Sequence, residues 1–243
     1  MRRPGGAVID MLQPCPKPPT PLHNAPSLEF GGAKEAGVIR YDDGWTKETR
    51  LIGGRYLTVT TGDEALRRRI FDSAGPIETI DGNGCEPAPA LAGNLVLRPP
   101  SKGGLETVGA VESVSMCRYS TVVSKDDPWP LEASSRILDT AAAKLVDDLV
   151  AAPAGSGPNI TNPRICGPDP GHEVIILRAH GSKHDQDVIV RYEGCKRNGT
   201  DDGSVARQLT SSAAKQIFIR VHEPDGMNVV LYQLLVGPPP PVI

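Results

Sequence analysis

Four landmarks of this chain recur at nearly one spacing, and any fold has to accommodate that recurrence. The stretch Ile39-Arg40-Tyr41-Asp42-Asp43-Gly44-Trp45 resembles Cys117-Arg118-Tyr119 continued, after six inserted residues, by Asp126-Asp127-Pro128-Trp129, so the only two tryptophans match. Leu95-Val96-Leu97-Arg98 resembles Ile175-Ile176-Leu177-Arg178, each followed by a Ser-Lys pair, and Cys85 matches Cys166. The offsets are 78 for the first arginine, 84 for tryptophan, 81 for cysteine and 80 for the second arginine. A shared offset marks an internal duplication, with coincidence between compositionally biased stretches as the alternative.

Apolar patterning assigns an α+β fold: two small tandem β-α-β-β(-α) modules, with antiparallel hairpins packed on one or two helices. In the second module, residues 113–224, Val114, Met116 and Arg118 alternate with Ser115, Cys117 and Tyr119 as in a half-buried strand. A helix follows from Asp139 or Thr140, with Ala142, Leu145, Val146, Leu149 and Val150 on one face, and stops at Pro153 and Gly155. Glu173 to Arg178 and Asp187 to Glu193 read as a hairpin, Asn198 to Gly203 as turns, and Ala213 to Val221 as a last helix, although Ile217 to Val221 also suits a strand. In the first module, residues 31–112, strands are expected at Val38 to Tyr41 and Arg55 to Thr60. A helix is expected at Asp63 to Ser73, and a hairpin from Asn94 to Arg98 and Thr107 to Glu112. Residues 1–30, with seven prolines, read as an extended or disordered leader, and residues 225–243 as a strand with a Pro-rich tail.

Five cysteines stand at 15, 85, 117, 166 and 195, with no Cys-x-x-Cys, which disfavours a metal knuckle or a thioredoxin-like pair. Shifted by the repeat, Cys195 falls beside Cys117. Cys85 and Cys117, 32 apart, then stand in the same relation as Cys166 and Cys195, 29 apart. Each pair would clamp the ends of a hairpin and contribute on the order of 3 kcal/mol. Such staples suit small modules in a chain with 4% aromatic residues, because a thin aliphatic core is marginal alone. Pairing Cys117 with Cys166 or Cys195 is the competing arrangement, free buried thiols are the plain one, and Cys15 is left over.

Hydrophobic residues at 39% and charged residues at 23% suit packed cores. With a net charge of −3, and with the basic run Arg67-Arg68-Arg69 flanked by Asp63, Glu64 and Asp72, no nucleic-acid footprint is expected. No apolar run reaches the roughly 18 residues of a membrane helix. No Gly-x-Ser-x-Gly elbow, phosphate loop or dinucleotide fingerprint occurs, and no catalytic residue is assigned.

His180 to Asp187 is the one stretch where a metal would find imidazoles and carboxylates together, and a metal-dependent hydrolase using His180, His184 and Asp185 is the alternative function. The reading taken is a solvated loop, with no metal or other cofactor. Asn198 to Gly203 offers oxygen ligands without calcium-loop spacing, since Leu209 stands where the last glutamate belongs. Cys195 with His180 as base would make a thiol nucleophile, but a structural disulfide explains the same cysteine. Arg40, Tyr41 and Trp45 with Arg118, Tyr119 and Trp129 form the candidate binding surface; the alternative is that the rings complete two thin cores.

Cys117-Arg118-Tyr119, Ser135-Arg136-Ile137-Leu138 ahead of the Ala-rich helix, Leu149-Val150-Ala151-Ala152-Pro153, Cys166, and Tyr192-Glu193-Gly194-Cys195 before Asn198-Gly199 carry a resemblance. Over residues 112–218 the chain resembles uncharacterised secreted and cell-surface proteins of actinobacteria. That resemblance implies no activity, but it implies export and favours disulfides. Met1-Arg2-Arg3-Pro4-Gly5-Gly6 does not continue as a secretory signal, because Asp10 interrupts a short apolar stretch, so export rests on a signal sequence outside this chain. The expected protein is non-enzymatic and extracytoplasmic, a binding or surface-structural element with a protein or cell-envelope partner. A cytoplasmic protein with free thiols is the remaining alternative.

Overall fold

The computed structural model describes residues 25–31, 35–94, 96–122, 130–159, 171–193, 198–223 and 229–237. The fold is α+β with antiparallel sheets, in two units, Met1–Pro76 and Ile77–Ile243.

In the first unit, β1 (Ser27–Phe30), β2 (Gly37–Arg40), β3 (Thr46–Ile52) and β4 (Arg55–Thr61) pair in the order β1-β4-β3-β2. Gly53 and Gly54, at φ +58° and +84°, make the two-residue turn that sets Ile52 opposite Arg55; both left-handed positions suit glycine. Helix α1 (Glu64–Ser73) begins at Asp63, whose carboxylate accepts a hydrogen bond from the Leu66 N–H at 2.9 Å. It packs Phe71 on Leu57 and Val59, and the Arg50 guanidinium lies 4.2 Å from the Phe71 ring.

In the second unit, β5 (Val111–Ser120), β6 (Leu131–Leu138), β7 (Glu173–Gly181), β8 (Asp185–Arg191), β9 (Gly199–Asp201) and β10 (Ala206–Arg207) pair in the order β10-β9-β8-β7-β5-β6. The short turn α2 (Ala90–Gly93) precedes the sheet in sequence. Helices α3 (Asp139–Val150), α4 (Ser211–Ile217) and α5 (Val229–Val236) supply its main core. Val114, Met116, Ile175, Leu177, Val188 and Val190 meet Leu145, Leu149, Ile217 and Leu231 there. The opposite face presents Cys117, Tyr119, Val174, Ile176 and Ile189 to Cys85, Leu91 and Ala92. Those last three belong to a strap, residues 77–104, that crosses this face with α2 as its only helical turn among the described residues. Strands buried on both faces read as near-continuous apolar runs, which is the character of Val174 to Leu177.

Several expectations are corrected here. The boundary falls after Pro76, not at residue 112, because side chains of β5, β7 and β8 hold the strap. The hairpin expected from Asn94 to Arg98 and Thr107 to Glu112 is absent among the described residues. Asn94 Oδ1 accepts from the Val96 N–H at 3.0 Å to close a turn, Pro99 and Pro100 have no N–H for a ladder, and Glu112 joins β5. The C-terminal strand is instead α5, since Leu231 and Leu234 reach the core at helical spacing. One pair of repeat landmarks stands in unlike places: Arg40 is exposed on an edge strand, whereas Arg118 is buried in an inner strand of the other sheet. No helix of the described residues is long and apolar enough to cross a membrane.

Candidate functional site

The strap-covered face of the second sheet gathers polar groups in an otherwise apolar setting. Side chains on one face recur every second residue, so register alone builds the cluster. Ser115 lies opposite Arg178 across β5 and β7, and Arg178 lies opposite Asp187 across β8. One row on, Ser113 lies opposite His180, and His180 opposite Asp185. His180 Nε2 stands 3.2 Å from the Ser115 hydroxyl and its Nδ1 stands 3.1 Å from the Asp185 carboxylate. Arg178 donates to both oxygens of Asp187, at 2.7 and 3.1 Å, and to Glu86 at 3.4 Å. The hydrogen bond to Asp187 is the main reason its guanidinium is held more firmly protonated than usual.

The strap is fastened at many points. A disulfide joins Cys85 to Cys117, with Cα atoms 5.7 Å apart. Beside it, Asp81 accepts from the backbone N–H groups of Asn83 and Cys85 at 2.9 and 2.7 Å, and from the Ser134 hydroxyl. The Tyr119 hydroxyl donates to the Glu86 carbonyl at 2.8 Å, and burial, with the Glu86 charge second, pushes this phenol far above its ordinary range, so it stays a donor. Further along, Arg191 donates to the Leu97 carbonyl at 3.1 Å and Arg98 binds Asp201 through two bonds of 2.8 Å. Gly84, at φ +90°, lies directly over Ser115: a Cβ there would stand 2.6 Å from its hydroxyl oxygen. Ser115 is 0% exposed. A shallow cleft beside this point is lined by Gly84, Glu86, Leu91, Tyr119, Ile176 and Arg178.

No protein-family model, curated protein or solved structure matches the chain. Its chemistry has to be read from its own geometry.

Two residues of the expected binding surface, in the second unit, are buried. Arg118 and Tyr119 are 7% and 1% exposed and point to opposite faces of β5. Arg118 donates to the Glu223 carbonyl at 2.8 Å and stands 3.5 Å from Glu132. Their rings and stems complete a core, which is the alternative weighed above. In the first unit Arg40 ends β2, and Tyr41 and Trp45 bracket a turn in which the Tyr41 N–H donates to the Trp45 carbonyl at 2.9 Å. Trp129, Cys166 and Cys195 lie outside the described residues. The Cys85–Cys117 pair forms as expected, although it clamps a strap to the sheet rather than the ends of a hairpin. His180 is a strand residue and not part of a loop. His184 stands 3.4 Å from the Thr107 hydroxyl, and the described residues contain no group of three or more His, Cys, Asp or Glu placed to hold a metal. Sequence patterning gives Ser115 no role in a site. The available signal was a serine within the apolar strand Val114 to Met116, uninformative until the pairing of β5 with β7 is known.

A second buried polar group lies on the helix-covered side. His222 is 0% exposed, its Nε2 2.8 Å from the Ser135 hydroxyl and its Nδ1 without a hydrogen-bond partner among the described residues. Burial, with the nearby Arg118 charge, lowers its pKa to about 4. The folded state therefore binds the proton more weakly than the unfolded chain, whose histidine titrates near 6.5. Stability is full above about pH 6.5, falls between there and pH 4, and levels below, for a total loss of about 3 kcal/mol. Urea unfolding from pH 7 to 4 is expected to show this slope in the wild type. A His222→Gln chain should lack about 1.4 kcal/mol per pH unit of it, and an unchanged slope would rule out this histidine as its source.

Proposed function

We propose that this chain is a non-enzymatic extracytoplasmic protein, a binding or surface-structural element whose partner is a protein or a cell-envelope component. The observation that carries this reading is the buried Cys85–Cys117 disulfide, which secures an irregular strap across a sheet face. Disulfides persist in oxidising compartments, and export is also what the resemblance over residues 112–218 implies. With the strap closed, the hydroxyl that His180 addresses lies under Gly84, out of reach of any substrate. Arrays of side chain to backbone bonds of the kind Arg191 and Tyr119 make support rigidity, which a structural or binding surface needs.

The test is alkylation of the protein in its native compartment, with and without reductant, followed by peptide mass spectrometry. The expected result is a Cys85–Cys117 cross-linked peptide in the non-reduced sample. Five alkylated thiols without reductant would overturn both the staple and the location.

A further inference from the structure

We propose that the strap conceals a latent acyl-transfer site on the outer face of the second sheet, with Ser115 as nucleophile and His180 as its base, and that the Cys85–Cys117 disulfide is the latch. This goes beyond the reading above, which concerns the closed form. The atoms stand in the order that activation of a serine requires: hydroxyl to Nε2 at 3.2 Å, Nδ1 to carboxylate at 3.1 Å. Asp185 is a positioning residue that fixes the imidazole. All three groups sit on or at the start of paired strands, which hold their relative places without help from the strap.

Two further features bear on the chemistry. Arg178, the cross-strand neighbour of Ser115, is held by Asp187 and Glu86, so Ser115 has the His180 imidazole as its polar partner on this face. On the sheet side of the adjoining cleft, Ile176 offers an apolar surface to a small acyl group. The cover over Ser115 is the backbone of Gly84, and the next residue is the half-cystine that ties the strap down.

The substrate class is a carboxylic ester. The Ser115 oxygen bonds to the acyl carbon as its proton passes to His180 Nε2; the bond to the alkoxy oxygen breaks, and the alcohol leaves with that proton. Water then attacks the acyl-enzyme, giving a proton to Nε2, and the acid departs as the serine oxygen recovers the proton. Opening the latch takes two electrons from a dithiol, which becomes a disulfide while Cys85 and Cys117 become thiols.

The experiment treats the full chain with a fluorophosphonate, before and after reduction with dithiothreitol, and maps the modified residue by mass spectrometry. A Cys85→Ala/Cys117→Ala chain bypasses the burial of the disulfide. Ser115 is expected to be modified in the reduced and double-alanine proteins and spared in the oxidised one. His180→Gln should slow the reaction about a hundredfold. In the double-alanine background, Asp185→Asn should lower kcat for p-nitrophenyl acetate about tenfold with KM unchanged, a split that mere loss of folding does not produce. No modification of Ser115 in either opened form, equal rates with His180→Gln, or modification only of chains that have lost their near-ultraviolet circular dichroism would overturn the site. Equal modification of the oxidised protein would overturn the latch. None of these results depends on the thiol census in the native compartment, so the two readings fail separately.

Discussion

Replacing Cys85 and Cys117 together by alanine is expected to lower the unfolding free energy of the second unit by about 3–4 kcal/mol. The bond joins residues 32 apart, and its removal frees the denatured chain of that loop and, in the native chain, releases the strap about Gly84 while its later half stays fastened. Arg191 to Leu97 and Arg98 to Asp201 hold that half without the sulfur atoms. The double variant should therefore still unfold cooperatively in urea at 25 °C, at a lower midpoint and with an almost unchanged slope. A loss under about 1 kcal/mol would mean that the denatured state is already ordered around the strap. Complete unfolding would mean that the strap is not otherwise attached.

Asp202→Ala is expected to cost about 3 kcal/mol, because it strips a buried charge pair and leaves several donors unpaired. This carboxylate, 2% exposed, accepts from the backbone N–H groups of Leu105, Ser204 and Val205 at 3.0, 2.8 and 2.7 Å and faces Arg207 at 3.3 Å. It thus joins the β9–β10 turn to the start of the chain leading into β5. Arg207 keeps Glu106 at 2.8 Å, which limits the loss. Asp202→Asn preserves the shape and one acceptor, and should cost about 1 kcal/mol by urea unfolding. Equal effects of the two substitutions would show that the charge, and not the hydrogen bonds from the backbone N–H donors, is what matters here. In sequence Asp202 belonged to a run expected to be turns throughout, yet Gly199–Asp201 forms β9 and only the residues after it turn. The Gly and Asp residues that suggested turns serve a short strand between β8 and β10 and the turn that follows it.

The fold class was legible because alternation and helical spacing are local properties. Val114 to Tyr119 and the Ala142 to Val150 face carry their period within a dozen residues, and the Glu173 to Arg178 run is a short continuous apolar stretch. The apparent duplication was a weaker kind of signal. It compared short motifs without asking what they pack against, and the structure gives Arg40 solvent and Arg118 a buried place in the sheet. Repetition of residue types does not impose repetition of environment. The cysteine pair came out correctly from a spacing argument whose geometric basis was a hairpin that does not form; two thiols 32 residues apart meet because the strap crosses β5.

What the sequence determined by itself was the existence of strands β4, β5, β7 and β8 and of helices α1 and α3, and the presence of two thiols placed to pair, since both follow from patterns along a short stretch of chain. What only the tertiary structure decided was adjacency. Ser115 and His180 are 65 residues apart, and nothing in either neighbourhood specifies that β5 pairs with β7 in the register that brings hydroxyl and imidazole together. Strand partners are chosen by the burial of whole faces and by loop closure over long separations, and a shift of one residue would turn every side chain on that face to the other side. The candidate site depends on that choice, and so it appears only when the sheet is assembled.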